Sequence, residues 1–124
     1  MTITVLENTY SIYQFDINSE LPEWIYKSEF YSVTRTNEEI SVVTIQTNIS
    51  ENIRCSRDWR ILKVAGPLAL SLTGIIARIS DVLKEKDIPI FTISTYNTDY
   101  ILLGEKDLSA GVKALQDNGY NISR

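Results

Sequence analysis

Histidine is absent from this 124-residue chain, and cysteine occurs once, at Cys55. The first absence removes the side chain best suited to general base work near neutral pH and the imidazole ligands of metal sites. With a single cysteine as well, neither a structural zinc site nor an internal disulfide is expected, and the composition suits a reducing cytoplasm. No apolar run approaches the ~20 residues that a membrane-spanning helix requires, and the N-terminus lacks a signal-peptide pattern. A basic stripe is missing too: residues 1–58 hold nine acids and four bases, residues 59–124 seven acids and eight bases. Nucleic acid and membrane therefore drop out as expected partners. The stretch GPLALSLTG has two glycines, Gly66 and Gly74, but no lysine at the position a phosphate-binding loop requires. No cofactor is expected.

What remains is ordinary globular composition, 44% hydrophobic and 23% charged with a net charge of −4. The length allows one domain with a real core or two very small ones sharing a sheet. Periodicity orders the elements. A strand-like stretch covers 3–15, a short helical segment falls within 19–30 near Pro22, and strands at 30–36 and 40–47 flank a turn at Asn37-Glu38-Glu39. Residues 47–58 read as a polar connector. The near-continuous apolar pattern of WRILKVAG, 59–66, suits a central strand.

The clearest helix follows. Leu72, Ile75, Ile76, Ile79, Val82 and Leu83 recur at helical spacing, with Ser71 or Thr73 available as N-cap and Pro89 beyond the end. Strands at 90–96 and 99–104 form a second hairpin. A last helix runs from Asp107, with Leu108, Val112 and Leu115 inward, to Asn118-Gly119, and 120–123 adds a short strand. The second half therefore reads βαββαβ, a ferredoxin-like α+β plan. The two hairpins lie at an offset of 60, placing Tyr31 on Phe91 and Asn37 on Asn97, so that the first half reads as an incomplete copy.

Catalytic constellations are scarce. Glu38 and Glu39 are adjacent in a turn and read as solvated. Cys55 sits beside Arg54 and Arg57, yet has no histidine partner. The informative place is the loop from Gly66 to Gly74, where backbone N–H groups and the helix dipole favour a carboxylate. The strand end from Thr92 to Tyr96 should lie nearby, and Asp99 offers a charge for a cation. Each residue also has a plainer use: Gly66-Pro67 as a turn, Ser71 as a cap, Asp99 as turn decoration.

The segments YSVTRTNEEISVV (31–43), WRILKVAGPLALSLTGIIARIS (59–80) and IPIFTISTYNTDYILL (88–103) resemble the ACT domain family of small-molecule sensors. The likeness is to tandem members such as the regulatory domains of aspartate kinases and the arginine sensors of the CASTOR type. This resemblance implies an incomplete ACT-like repeat over 1–56 ahead of an ACT domain over 57–124. It also implies amino-acid binding at the seam between modules, with Gly66, Pro67, Leu70, Ser71 and Gly74 matching the loop and Thr95, Tyr96 and Asp99 matching the facing strand. A cationic amino acid would meet Asp99, which can equally hold only the α-ammonium of any amino acid. The reading is thus a non-enzymatic, cytoplasmic, homodimeric amino-acid sensor. The competing reading is a ligand-free structural dimerisation module.

Overall fold

The computed structural model describes residues 1–48, 53–69 and 72–124. The chain forms two compact units, one made of Met1–Glu7 with Arg60–Arg124 and the other of Asn8–Trp59.

In the Asn8–Trp59 unit, strand β2 (Tyr10–Phe15) leads to a single helical turn, α1 (Glu23–Tyr26), and then to β3 (Tyr31–Arg35) and β4 (Ile40–Ile45). Strand β5 (Arg54–Val64) supplies its first residues to this unit. The sheet order is β3-β4-β2-β5, every pair antiparallel, so the two strands joined through α1 are separated by β4, as in half of a ferredoxin-like unit. Ile25, the buried residue of α1, packs with Tyr13, Ile40 and Val42. Pro22 at the N-cap supplies a fixed φ but no capping side chain, and the helix is too short to cover the whole face.

In the other unit, the remainder of β5 is followed by α2 (Ile75–Lys84), β6 (Ile90–Ser94) and β7 (Asp99–Gly104). A 3₁₀ turn (Glu105–Asp107), α3 (Leu108–Asp117) and β8 (Asn121–Ser123) complete it. From β5 onward this is βαββαβ, the expected ferredoxin-like plan. One strand is added: β1 (Thr2–Val5) lies between β5 and β8, antiparallel to the first and parallel to the second. Ile3 faces Val64 and Ile122, which places the first residues with 60–124 rather than with the hairpin that follows them. Ile75, Ile79 and Leu83 of α2 and Leu108, Val112 and Leu115 of α3 bury against Ile3, Leu62, Val64, Ile101 and Leu103. Gly111 lets α3 settle this close, since a Cβ there would stand 3.0 Å from Leu103 Cδ2.

Several sequence expectations shift. The stretch 3–15 is two strands, because the chain leaves one unit at Glu7 and enters the other at Asn8. The connector over 47–58 is shorter than its polarity suggests: β5 begins at Arg54, so Cys55 is a half-buried strand residue. Helix α2 starts at Ile75, and its N-cap is Gly74 in the left-handed conformation, not Thr73; Ser71, the other candidate cap, lies outside the described residues. Leu72, read as the first residue of the apolar stripe, is instead exposed ahead of the helix.

The repeat has a definite register. Tyr31 faces Thr44 and Arg35 faces Ile40 in the first hairpin; Ile90 faces Leu103 and Ser94 faces Asp99 in the second. Every equivalent pair is displaced by 59 residues, one fewer than the sequence offset, so Thr36 corresponds to Thr95 and Asn37 to Tyr96. The turns share their bonding. Thr36 N–H donates to Glu39 O and Thr36 Oγ1 accepts from Glu39 N–H, as Thr95 N–H donates to Thr98 O and Thr95 Oγ1 accepts from Thr98 N–H.

Candidate functional site

The loop after β5 and the β6–β7 turn are clamped together. Leu68 N–H donates to Asn97 O at 2.7 Å, and the buried hydroxyl of Thr98 donates to Val64 O at 2.7 Å. The approach depends on Gly66, where a Cβ would lie 3.0 Å from Asn97 O and 3.1 Å from Thr98 Cβ. Between the clamp and α2 lies a groove of about 370 Å³. Leu68, Ala69 and Leu72 line one wall, Gly74 to Ala77 the helix end, and Ser94 to Asp99 the other wall. The lining belongs entirely to the unit that holds residues 60–124.

The lining of this groove offers charge of both signs. The first turn of α2, a helix of ten residues, forms part of the lining. The leading N–H groups of a helix have no intrahelical acceptor, and the dipole makes that end positive. Arg78 N–H, bonded to Gly74 O, closes the first turn, and no acidic side chain in that turn neutralises it. The positive φ of Gly74, 76°, lets the chain turn into the helix without a side chain, and only the Arg78 guanidinium approaches from outside. Asp99, also in the lining, is half-buried, with its Oδ1 accepting the Ser94 hydroxyl at 2.7 Å. That bond fixes the carboxylate and leaves its other lone pairs for a ligand donor. Apolar Leu72 and Tyr96, 53% and 82% exposed, stand at the rim. A zwitterion or an extended cation with a carboxylate fits such a charge layout.

The sequence residues fare unevenly. Gly74, Thr95, Tyr96 and Asp99 line the groove; Gly66 lies behind the wall, where it permits the clamp, and Pro67 is not among the lining residues. Leu70 and Ser71 fall outside the described residues. Sequence reasoning missed Leu68, Ala69, Ile76 and Thr98, whose apolar or turn character looks the same whether a groove is present or not. Among the described residues no cluster of acids, cysteine or histidine could hold a metal, and no helix is long and apolar enough to cross a membrane.

A family model of the ACT domain matches residues 54–117, more than half of the chain, and the chain belongs to the ACT domain family. A second model, for an N-terminal domain, matches 8–52. The cytosolic arginine sensor for mTORC1 subunit 1 of Homo sapiens is 36% identical over 59 residues, as is that of Rattus norvegicus. The match takes in 47% of this chain and 18% of those relatives, so less than a fifth of their length is represented. A protein from Agobacterium tumefaciens superposes with a TM-score of 0.89 at 29% identity, covering 98% of this chain and 90% of its own. The regulatory subunit of aspartate kinase from Thermus thermophilus superposes at 0.64 with 8% identity, covering 93% and 95%. At that identity the likeness speaks for the fold alone. The chain is thus an ACT protein, and among the proteins it resembles is a cytosolic arginine sensor.

Proposed function

We propose that the protein is a non-enzymatic amino-acid sensor that binds a free amino acid in the groove between the Gly66–Gly74 loop, the start of α2 and the Thr95–Asp99 segment. One observation carries the reading: a single groove joins the unneutralised N-terminus of α2 to the carboxylate of Asp99. The ligand's α-carboxylate sits on the α2 N–H groups, and its cationic end meets Asp99. A cationic amino acid, arginine foremost, satisfies both, and the relatives that share 36% identity are arginine sensors. Binding to one state shifts the protein, or a partner that reads it, toward that state by the ligand's differential affinity. The reading extends to a cytoplasmic homodimer without cofactor, and to an incomplete ACT-like repeat within 1–56 ahead of the ACT domain over 57–124. The shared register and turn bonding of the two hairpins support the repeat.

The test is a thermal-shift screen of the full chain against the twenty amino acids at millimolar concentration. A ligand that binds only the native state raises Tm, and dissociation constants between about 1 μM and 1 mM correspond to about −8 to −4 kcal/mol. Stabilisation by arginine or lysine, reduced in Asp99→Asn, is the expected result. A flat response to all twenty removes the sensor reading and leaves the ligand-free dimerisation module, which the exposed apolar residues of β3 favour.

A further inference from the structure

The second hairpin is closed beside its turn by a pair that the first hairpin lacks. Ser94 is the last residue of β6 and Asp99 the first of β7, and they face each other across the ladder. The Ser94 hydroxyl donates to Asp99 Oδ1 at 2.7 Å, the length of a charge-assisted bond. Displaced by 59 residues, the same two positions of the first hairpin hold Arg35 and Ile40, which also face each other. The two turns share their bonding, so the fold builds such a turn without setting a hydroxyl against a carboxylate. Ser94 and Asp99 both line the groove.

The neighbouring polar atoms are spent on the turn and the clamp. Thr95 Oγ1 donates to Thr98 O at 3.1 Å and accepts from Thr98 N–H at 3.3 Å. The Thr98 hydroxyl is committed to Val64 O, and Asn97 O accepts from Leu68 N–H. Ser94 is left in a different position. A hydroxyl carries one donor proton and two acceptor lone pairs, and the proton here is fixed on Asp99. Its Oγ is therefore an acceptor alone, 2.7 Å from a carboxylate that is also an acceptor alone.

Two adjacent acceptors, one charged and one neutral, suit one kind of cation. A primary ammonium has three N–H donors and a guanidinium five, so either can serve Asp99 and Ser94 Oγ together. A fully alkylated cation keeps its attraction to the carboxylate but has nothing to donate to the hydroxyl oxygen.

We infer that Ser94 is a specificity-determining residue of the groove. With its proton held by Asp99, its Oγ is the second acceptor for a cationic group rich in N–H donors, a guanidinium or a primary ammonium. The inference rests on the amino-acid site proposed above and specifies the chemistry of the cationic group it takes. The test is calorimetry on the full chain with L-arginine and L-lysine, each beside the form methylated on its terminal nitrogen, asymmetric dimethylarginine and trimethyllysine. Methylation keeps the positive charge and removes N–H donors. The wild type should bind at least one parent and prefer it about tenfold over its methylated form, the factor for one bond to a charged group. In Ser94→Ala the parent should weaken severalfold while the methylated form holds, so that the preference narrows. Ser94→Thr, which keeps the hydroxyl and suits a strand, should restore it. Both variants should melt close to the wild type, whereas a merely structural serine would lower the melting temperature and weaken parent and methylated form alike. A preference unchanged in Ser94→Ala, or lost as fully in Ser94→Thr, overturns the role of Ser94 and leaves the amino-acid site standing. A wild type that binds neither parent overturns both.

Discussion

The hairpin of residues 31–45 and the hairpin of residues 90–104 share register, strand lengths and turn bonding, yet only the second borders the groove between a Gly-containing loop and the end of a long helix. The difference lies in what the turn is fastened to. In the second, Thr98 reaches down to Val64 O, Gly66 admits Asn97 O, and a ten-residue helix begins close by. In the first, the residue matching Thr98 is Glu39, whose carboxylate accepts from the Gln14 amide at the exposed surface. The helix before that hairpin is one turn long behind Pro22. A hairpin alone therefore makes no groove. The groove exists where a loop and a helix terminus are set against the hairpin.

The largest test of this contrast concerns the helices. Ile79→Ala, at a fully buried position of α2, should cost about 3 kcal/mol in chemical denaturation, whereas Tyr26→Ala on α1 should stay within about 0.5 kcal/mol. A smaller effect falls on the helix entry. Gly74→Ala forces a side chain into the left-handed region and should cost about 1–2 kcal/mol. The clamp comes next. Thr98→Val leaves Val64 C=O without this donor and should cost about 1–2 kcal/mol, against about 0.5 kcal/mol for Thr36→Val in the exposed equivalent turn. Equal losses at the two threonines would erase the difference between the two turns. The smallest effect on stability belongs to Asp99→Asn, within about 0.5 kcal/mol by thermal melting. The same change should lower affinity for a cationic amino acid about tenfold, or about 1.4 kcal/mol by calorimetry.

Much of this was legible in the residues. Alternation marks both hairpins, and the spacing of Ile75, Ile79 and Leu83 marks α2, because one buried face imposes one period. The start of β5 was hidden, since Arg54, Ser56, Arg57 and Asp58 are exposed there and exposure removes the apolar signal of a strand. Thr73 looked like a cap because hydroxyls usually fill that place; the left-handed Gly74 replaces the side chain with backbone freedom. Placing β1 against β5 and β8 is a long-range pairing, and no local pattern reports it. Within the groove, Asp99 and Gly74 stood out by residue type. Leu68 and Ile76 could not, because apolar side chains that line a groove and those that fill a core obey the same period.

The placement of β1 bears on the order in which the chain can fold. Thr4 and Ser123, whose hydroxyls meet at 3.0 Å, are 119 residues apart, and the whole of 8–59 is looped out between β1 and the part of β5 that it pairs with. Contacts of such separation close late and slow the rate-limiting step. The looped-out segment pairs its strands β2, β3 and β4 through far shorter separations. Structure should accordingly appear first in 8–59. The ACT unit should close last, when β8 arrives beside a strand made at the opposite end of the chain.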